Sequence, residues 1–519
     1  MVWQRAAVFA ALLFFWQAVP TLAQDVTLSS PDGSVEITGT LLGYDGEFYR
    51  VDTQYGELTV DGSGVLCDGP ACPSLTDFVA EVAISGSSTM AEVLLPALLE
   101  GFALRDGWQT LRQDLDPEHF DYVLLRPNTG KAIARFSFRV TNTDEGFADL
   151  LANEADVIMA MREIREGERS RAREAGLGDM TETNRNRVLA LDAIVPVVAP
   201  VNPVRRVSTP QLARVFAGQI TNWSDLGGPD APISLHLPVA ESGLSQSVED
   251  RLMRPINLTL SDTLVRHARS SDLARAVSTD PFAIGMASFA ETGSARMLTL
   301  TGECGFSMNA SRRTIKTEDY PLTSPMFLYL PARRLPKVAR DFLIYTRSPA
   351  AQIVIRRSGF VDQAPERISV NVQGDRLANA ISSAGVEVPL DELQNMVASL
   401  RSLSRLTTSF RFETGSTRPD SQSRANIEQL ARAIASGGHD SGTLVFVGFS
   451  DGDGPAEGNL RIALKRATAV RDAVLAAADT ADLSRLTVKV EAFGEALPMA
   501  CDDSDWGRKV NRRVEVWVR

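Results

Sequence analysis

The chain has 519 residues, 44% of them hydrophobic and 23% charged, and carries a formal net charge of -12. That length holds several hydrophobic cores, on the order of three domains. An acidic chain without a basic run argues against nucleic acid and against an anionic membrane surface as partners.

The first 23 residues have the grading of a secretory signal: Arg5 supplies a positive start, Ala6 to Trp16 an apolar run, and Pro20 with Thr21, Leu22 and Ala23 a small-residue cleavage site before Gln24. The run is too short to cross a bilayer, and no later stretch reaches the roughly eighteen apolar residues of a transmembrane helix. No cysteine stands near the cleavage site, so a lipid-modified N-terminus is not expected. Export to a periplasm follows, and there cysteines can form disulfides.

Residues 24–78 alternate apolar and polar positions between the turn pairs Asp45-Gly46 and Tyr55-Gly56, which predicts a small all-β module. Cys67 and Cys72 are close enough to close a loop by a disulfide at its exit. Their spacing does not suit a zinc pair, and the four histidines are scattered, so no metal site is expected. Whether Cys304 and Cys501 pair is left open by the sequence.

Residues 79–365 read as mixed strands and helices. An apolar strand over 79–84 runs into Ser85-Gly86-Ser87-Ser88-Thr89, and a periodic helix follows from Met90 to Leu104. Amides at the start of a helix and its dipole make such a loop a cradle for an anion. Glu241-Ser242-Gly243-Leu244-Ser245-Gln246 repeats the arrangement. Between them, Val207 to Gly228 opens a helix with Thr209 as its cap and Pro210 at its first position, and closes on Ile220-Thr221-Asn222-Trp223 and a Gly-Gly turn. Trp223 is expected to pack, and Thr221 and Asn222 to form the turn. Together with Ala155-Asp156 leading to Arg162, and with Ile284-Gly285-Met286-Ala287-Ser288, these blocks resemble the phosphate-transporter substrate-binding proteins (PstS-like).

The resemblance implies two α/β lobes of the periplasmic-binding-protein type (type II-like) closing on a ligand by a hinge. It places Ser87, Ser88, Thr89, Thr143, Arg162, Ser242, Gly243 and Ser245 around a small oxyanion such as phosphate, with an ABC transporter permease as a possible partner. Neutral donors plus one cation suit a desolvated tetrahedral anion. Pro238 stands where the family commonly has Arg, Leu244 replaces a Thr, and Asp144 with Glu145 bring negative charge to the Thr143 loop. A competing reading is an envelope-organising protein with a vestigial cleft. No Gly-x-Ser-x-Gly elbow or His-Glu-x-x-His motif occurs, so neither an enzyme nor a cofactor is expected.

Residues 366–404 are polar with helical periodicity and read as a helical linker that would let the lobes stand away from the cell wall. Beyond it, a short β-branched strand ends in Gly448-Phe449-Ser450-Asp451, a helix carries Asn459 and Arg466, and Gly507-Arg508 leads to Asn511-Arg512-Arg513-Val514-Glu515. These three blocks over 405–519 resemble the OmpA-like peptidoglycan-binding family, an α+β domain. A carboxylate and a guanidinium across one cleft suit a zwitterion, and the resemblance implies that Asp451, Asn459 and Arg466 hold the diaminopimelate of peptidoglycan. Phe449 stands where that family usually has His. The whole is therefore expected to be a multidomain α/β protein, exported to the periplasm and associated with peptidoglycan and the outer membrane.

Overall fold

The computed structural model describes residues 25–519 apart from 76, 183–184, 303, 305, 386, 413–414, 440 and 503–504. The expected signal segment lies outside the described residues. The chain divides into two compact units, 1–78 and 79–519. No helix among the described residues is long and apolar enough to cross a membrane.

The first unit is a five-stranded antiparallel sheet in the order Gly56–Asp61, Phe48–Thr53, Glu36–Tyr44, Asp25–Ser29, Leu66–Asp68. Gly46 and Gly56 turn its hairpins at φ 91° and 102°, a region that L side chains avoid. The Asp45 carboxylate accepts from the amides of Glu47 and Phe48. Alternation buries Val26, Leu28, Tyr49 and Val51 in one small core, and Cys67 is bonded to Cys72.

In the second unit, the long strands Asn186–Val198 and Thr323–Tyr329 pair antiparallel at the centre of an eleven-stranded sheet. On one side Val157–Ala160, Ala80–Ser87 and Ala132–Thr141 run parallel to one another, and on the other Ala283–Ser288, Ser234–Pro238 and Val265–His267 do the same. Each parallel set forms one lobe. Every loop singled out in the sequence leaves the carboxyl end of a parallel strand and enters a helix, the position where open α/β sheets take ligands. The Val207–Gly228 block packs as expected: Trp223 is fully buried and donates to the Phe282 carbonyl, and Asn222 caps the turn. Its helix begins one residue earlier than read, with Ser208 as the cap in a capping box with Gln211.

The C-terminal sheet runs Arg367–Ser369, Ser404–Arg411, Arg513–Val518, Gly442–Phe449, Leu486–Ala492. Helices Ser421–Ala435 and Ala456–Ala477 cover the face that carries Leu444, Phe446 and Val516. The opposite face is also apolar, through Val445, Val447, Phe449 and Trp517, and helices Gly374–Ser383 and Leu390–Leu400 pack on it with Leu393, Met396 and Leu400. Residues 366–404 are thus no free spacer. A strand with both faces apolar needs a second cover, and this segment supplies it.

The domains of the second unit are joined directly. Cys304 is bonded to Cys501, closing a separation of 197 residues. Arg405, 1% exposed, donates from Nη1 and Nη2 to Asp319 at 2.6 and 3.0 Å, and its Nε lies 3.2 Å from Glu515. Glu515 also pairs with Arg376 and with Arg513. Burial alone would raise the Asp319 carboxyl, but the Arg405 guanidinium overrides it and holds the group at about 2. Glu515 is likewise pushed up by burial but held far below the ordinary carboxylate range by Arg376, Arg405 and Arg513. Both folded values lie below unfolded ones of about 4. Their contribution is therefore complete above that range and is lost as pH falls from about 4 toward 2. The unfolding free energy from urea titrations should drop through this window, by about 2–3 kcal/mol for Asp319 alone. Asp319→Asn should flatten the profile, and an equally steep profile in that variant would contradict the assignment.

Candidate functional site

Ser87, Ser88, Thr89, Thr143, Ser242 and Gly243 line one small cavity, of about 30 Å³, between the two lobes. Its geometry follows from four chain reversals. Gly86 sits at φ 125°, where a Cβ would meet the Met159 carbonyl oxygen at 2.3 Å, so only glycine lets the Ser87 loop lie on the neighbouring strand. Asn142 caps helix Thr143–Leu151 by accepting from the Glu145 amide. Ser242 caps Gly243–Val248 by accepting from the Ser245 amide at 3.1 Å. Ser270 opens Ser270–Thr279 and also lines the cavity. First-turn amides have no partner within their helices, so these starts gather donors and positive helix ends around the cavity.

Thr143 is fully buried and its Oγ1 accepts from the Met161 amide at 3.2 Å, a bond that does not use the hydroxyl hydrogen. Gly243 comes from the opposite lobe: a Cβ there would lie 2.5 Å from Thr143 Oγ1 and 2.9 Å from Met161 Cβ. The lobes are therefore closed against each other. A second bridge runs from Thr89 Oγ1 to Glu291 Oε2, 3.0 Å. Burial, with Glu92 nearby, raises the Glu291 carboxyl against the opposing effect of that hydrogen bond.

Two expected ligands are not brought to the cavity. Arg162 is 5% exposed and all five of its N–H groups are engaged. Nε donates to Gln246, Nη1 to Glu168 and the Glu163 carbonyl, and Nη2 to Glu168 at 2.6 Å and Asp144 at 2.5 Å. No donor remains for an anion. The same contacts explain the acidic loop: Asp144 gives one oxygen to Arg162 and the other to Gln246 Nε2 at 2.6 Å, so its charge is neutralised behind the cavity. Glu145 is exposed. Ser245 is fully buried with its Oγ accepting from Arg266, and it too stands behind the wall. Pro238 and Leu244, the departures seen in sequence, do line the cavity, whose walls hold no charged side chain. Sequence reasoning missed Asn142, Ser270 and Gln246. Asn142 was legible as a helix cap and Ser270 as a hydroxyl at a helix start, whereas Gln246 meets Asp144 only when the lobes close.

In the C-terminal domain Asp451 follows strand Gly442–Phe449, while Asn459 and Arg466 lie on helix Ala456–Ala477; the three are 7%, 6% and 3% exposed. Asp451 pairs with Arg512, a residue not singled out beforehand. Strand alternation at Arg512-Arg513 sends Arg513 inward, 4.3 Å from the Phe449 ring and onto Glu515, and turns Arg512 toward Asp451. Phe449 is fully buried in this core beside the site. Arg466 donates from Nε to the Ser416 carbonyl at 3.2 Å and lies 5.2 Å from the Phe412 ring. Burial and the neighbouring Arg512 push its guanidinium downward while Asp451 opposes them. Asp502 holds the strand-end loop by accepting from the Gly452 amide and from Asn511. Arg512 pairs with Asp451 directly and Arg466 acts on it at longer range, while Asp502 and Glu495 bring further carboxylates into the same neighbourhood.

Residues 55–350 match the PBP superfamily domain, and residues 411–512 match the OmpA family. "Phosphate-binding protein PstS" of Borreliella burgdorferi is 24% identical over 182 residues, 34% of this chain and 64% of that protein. A protein of the same name from Staphylococcus haemolyticus is 23% identical over 257 residues, 48% of this chain and 77% of that protein. The chain thus spans less than two thirds of the first relative's length. Among solved structures, an ABC-type phosphate transport receptor from Vibrio cholerae aligns with a TM-score of 0.40 and 21% identity, over 54% of this chain and 99% of that one.

Proposed function

We propose that this chain, which belongs to the PBP superfamily, is an exported solute-binding protein that takes phosphate or a similar tetrahedral oxyanion between its lobes and is tethered to peptidoglycan through its OmpA domain. The observation that carries the first part is the meeting of Ser87–Thr89, Thr143 and Ser242–Gly243 on one small interlobe cavity. A buried anion must regain from the protein the hydrogen bonds that water gave it, and hydroxyls with first-turn amides supply them. The names of the relatives favour phosphate. With Arg162 engaged elsewhere, the charge of the anion is met by helix starts alone. The signal-like residues 1–23 and the OmpA domain support a periplasmic place at the wall and outer membrane, and delivery to an ABC permease is the use such a receptor would have. Binding, not catalysis, is the activity.

Calorimetric titration of the mature protein with phosphate, arsenate and sulfate is expected to give one site. Thr143→Val should weaken it by roughly tenfold to a hundredfold, the loss of one hydrogen bond to a buried charge of about 1.5–3 kcal/mol. Silence toward all three anions would instead favour the envelope-organising reading with a vestigial cleft.

For the wall, Asp451, Asn459 and Arg466, with Arg512, would hold the zwitterionic end of diaminopimelate. Retention on purified sacculi should fall several-fold in Asp451→Ala and in Arg466→Ala. Undiminished retention in both would remove this assignment.

A further inference from the structure

A second cavity, of about 250 Å³, lies between the lobe that carries Gly243 and the OmpA domain. Leu252, Leu300 and Phe306 form its wall on the lobe side, and Met499, Ala500 and Trp506 on the other, with Cys501 of the interdomain disulfide among its lining. Largely apolar walls accept apolar molecules; a cavity of about 150 Å³ takes benzene, so this one has room for roughly eight to ten carbons.

Arg251 and Asp319, with the hydroxyls of Thr209 and Thr301, break the apolar surface. Arg251 stands in a π-helical turn, Glu249–Met253, a local insertion found frequently at functional sites. Its Nη1 donates to the Thr323 carbonyl, and among the described residues no carboxylate lies within ion-pair distance of it. The candidates nearby are committed. Asp250 pairs with Arg254 at 2.8 Å and Arg165 at 3.5 Å, and Asp319, also in the lining, is bound bidentate by Arg405. Glu163, Glu318 and Asp420 contribute only at longer range. A half-buried guanidinium with no carboxylate within ion-pair distance among the described residues, at the wall of a largely apolar chamber, is complementary to a ligand with an apolar body and an anionic head.

We propose that this cavity binds a small anionic amphiphile, a medium-chain alkyl carboxylate whose head pairs with Arg251 and whose chain lies among Leu252, Phe306, Met499 and Trp506. The site is separate from the oxyanion cavity and does not rest on its occupancy. Because its walls come from two domains, an occupant would brace the solute-binding lobe against the OmpA domain.

Native mass spectrometry and calorimetry of the mature chain with decanoate test this. One equivalent should bind, with 1-decanol at least tenfold weaker. Arg251→Met should reduce decanoate affinity at least tenfold while leaving decanol unchanged, and Trp506→Phe should diminish the decanoate-induced fluorescence change. Saturating phosphate should not compete. No stoichiometric decanoate binding, or equal affinity for decanoate and decanol in the unaltered protein, would overturn the proposal, and the second comparison stands even if Arg251→Met fails to fold. Competition by phosphate would overturn the separate site.

Discussion

Gly243→Val is expected to lower oxyanion affinity by a hundredfold or more while leaving the stability of each lobe nearly unchanged. Gly243 has no positive φ, so its small size is required by approach and not by backbone conformation. A Cβ would fall 2.5 Å from Thr143 Oγ1 and 2.9 Å from Met161 Cβ, both on the other lobe and both held in place, Thr143 by its bond to the Met161 amide. Overpacking of a tight contact costs about 1–3 kcal/mol. Here the strain is relieved by holding the lobes apart, so the binding energy that drives closure is lost together with the donors of one loop. Gly243→Ala should fall between. Calorimetry with phosphate measures the loss, and small-angle scattering should report a more open particle. Full affinity in Gly243→Val would mean that the closed contact is not part of binding.

Arg405→Met is expected to destabilise the 79–519 unit by about 3–5 kcal/mol, the usual result of removing one partner from a buried ion pair. Asp319 would remain 4% exposed with, among the described residues, only Arg411, at 3.5 Å, as a cation within ion-pair distance, while Glu515 would keep Arg376 and Arg513. The cost is therefore mostly an uncompensated carboxylate at the domain junction. Arg405→Met combined with Asp319→Leu should recover much of it, because replacing both charges with apolar groups removes the desolvation penalty. Urea unfolding of the four proteins in a double-mutant cycle gives the coupling directly. Additive single effects would show that the two side chains do not act as a pair.

The elements legible in advance were those with a local cause. Hairpin turns at Gly46 and Gly56, the Ser242 cap, the strand that ends before Asp451 and the disulfide of Cys67 with Cys72 all depend on neighbours within a few residues. Arg162 was misplaced for the opposite reason. Sequence counts it as a free cation, yet Asp144, Glu168 and Gln246, brought in by folding and lobe closure, engage every N–H it has. The segment 366–404 was misread because its helical periodicity says that one face is apolar but not what covers it.

By itself the sequence determined the β module, the mixed strands and helices of 79–365 and the small hydroxyl-rich loops that ring the interlobe cavity, because periodicity, turn residues and caps are properties of contiguous residues; the lobed and OmpA-like domains were legible through family resemblance. Only the tertiary structure decided that Cys304 pairs with Cys501, that Arg405 crosses to Asp319, that Arg512 faces Asp451 and that an apolar chamber opens beside Arg251. Each of these joins residues tens to hundreds of positions apart or depends on the side a strand turns outward. Such pairings are fixed by the packing of whole domains and leave no periodic trace in the chain.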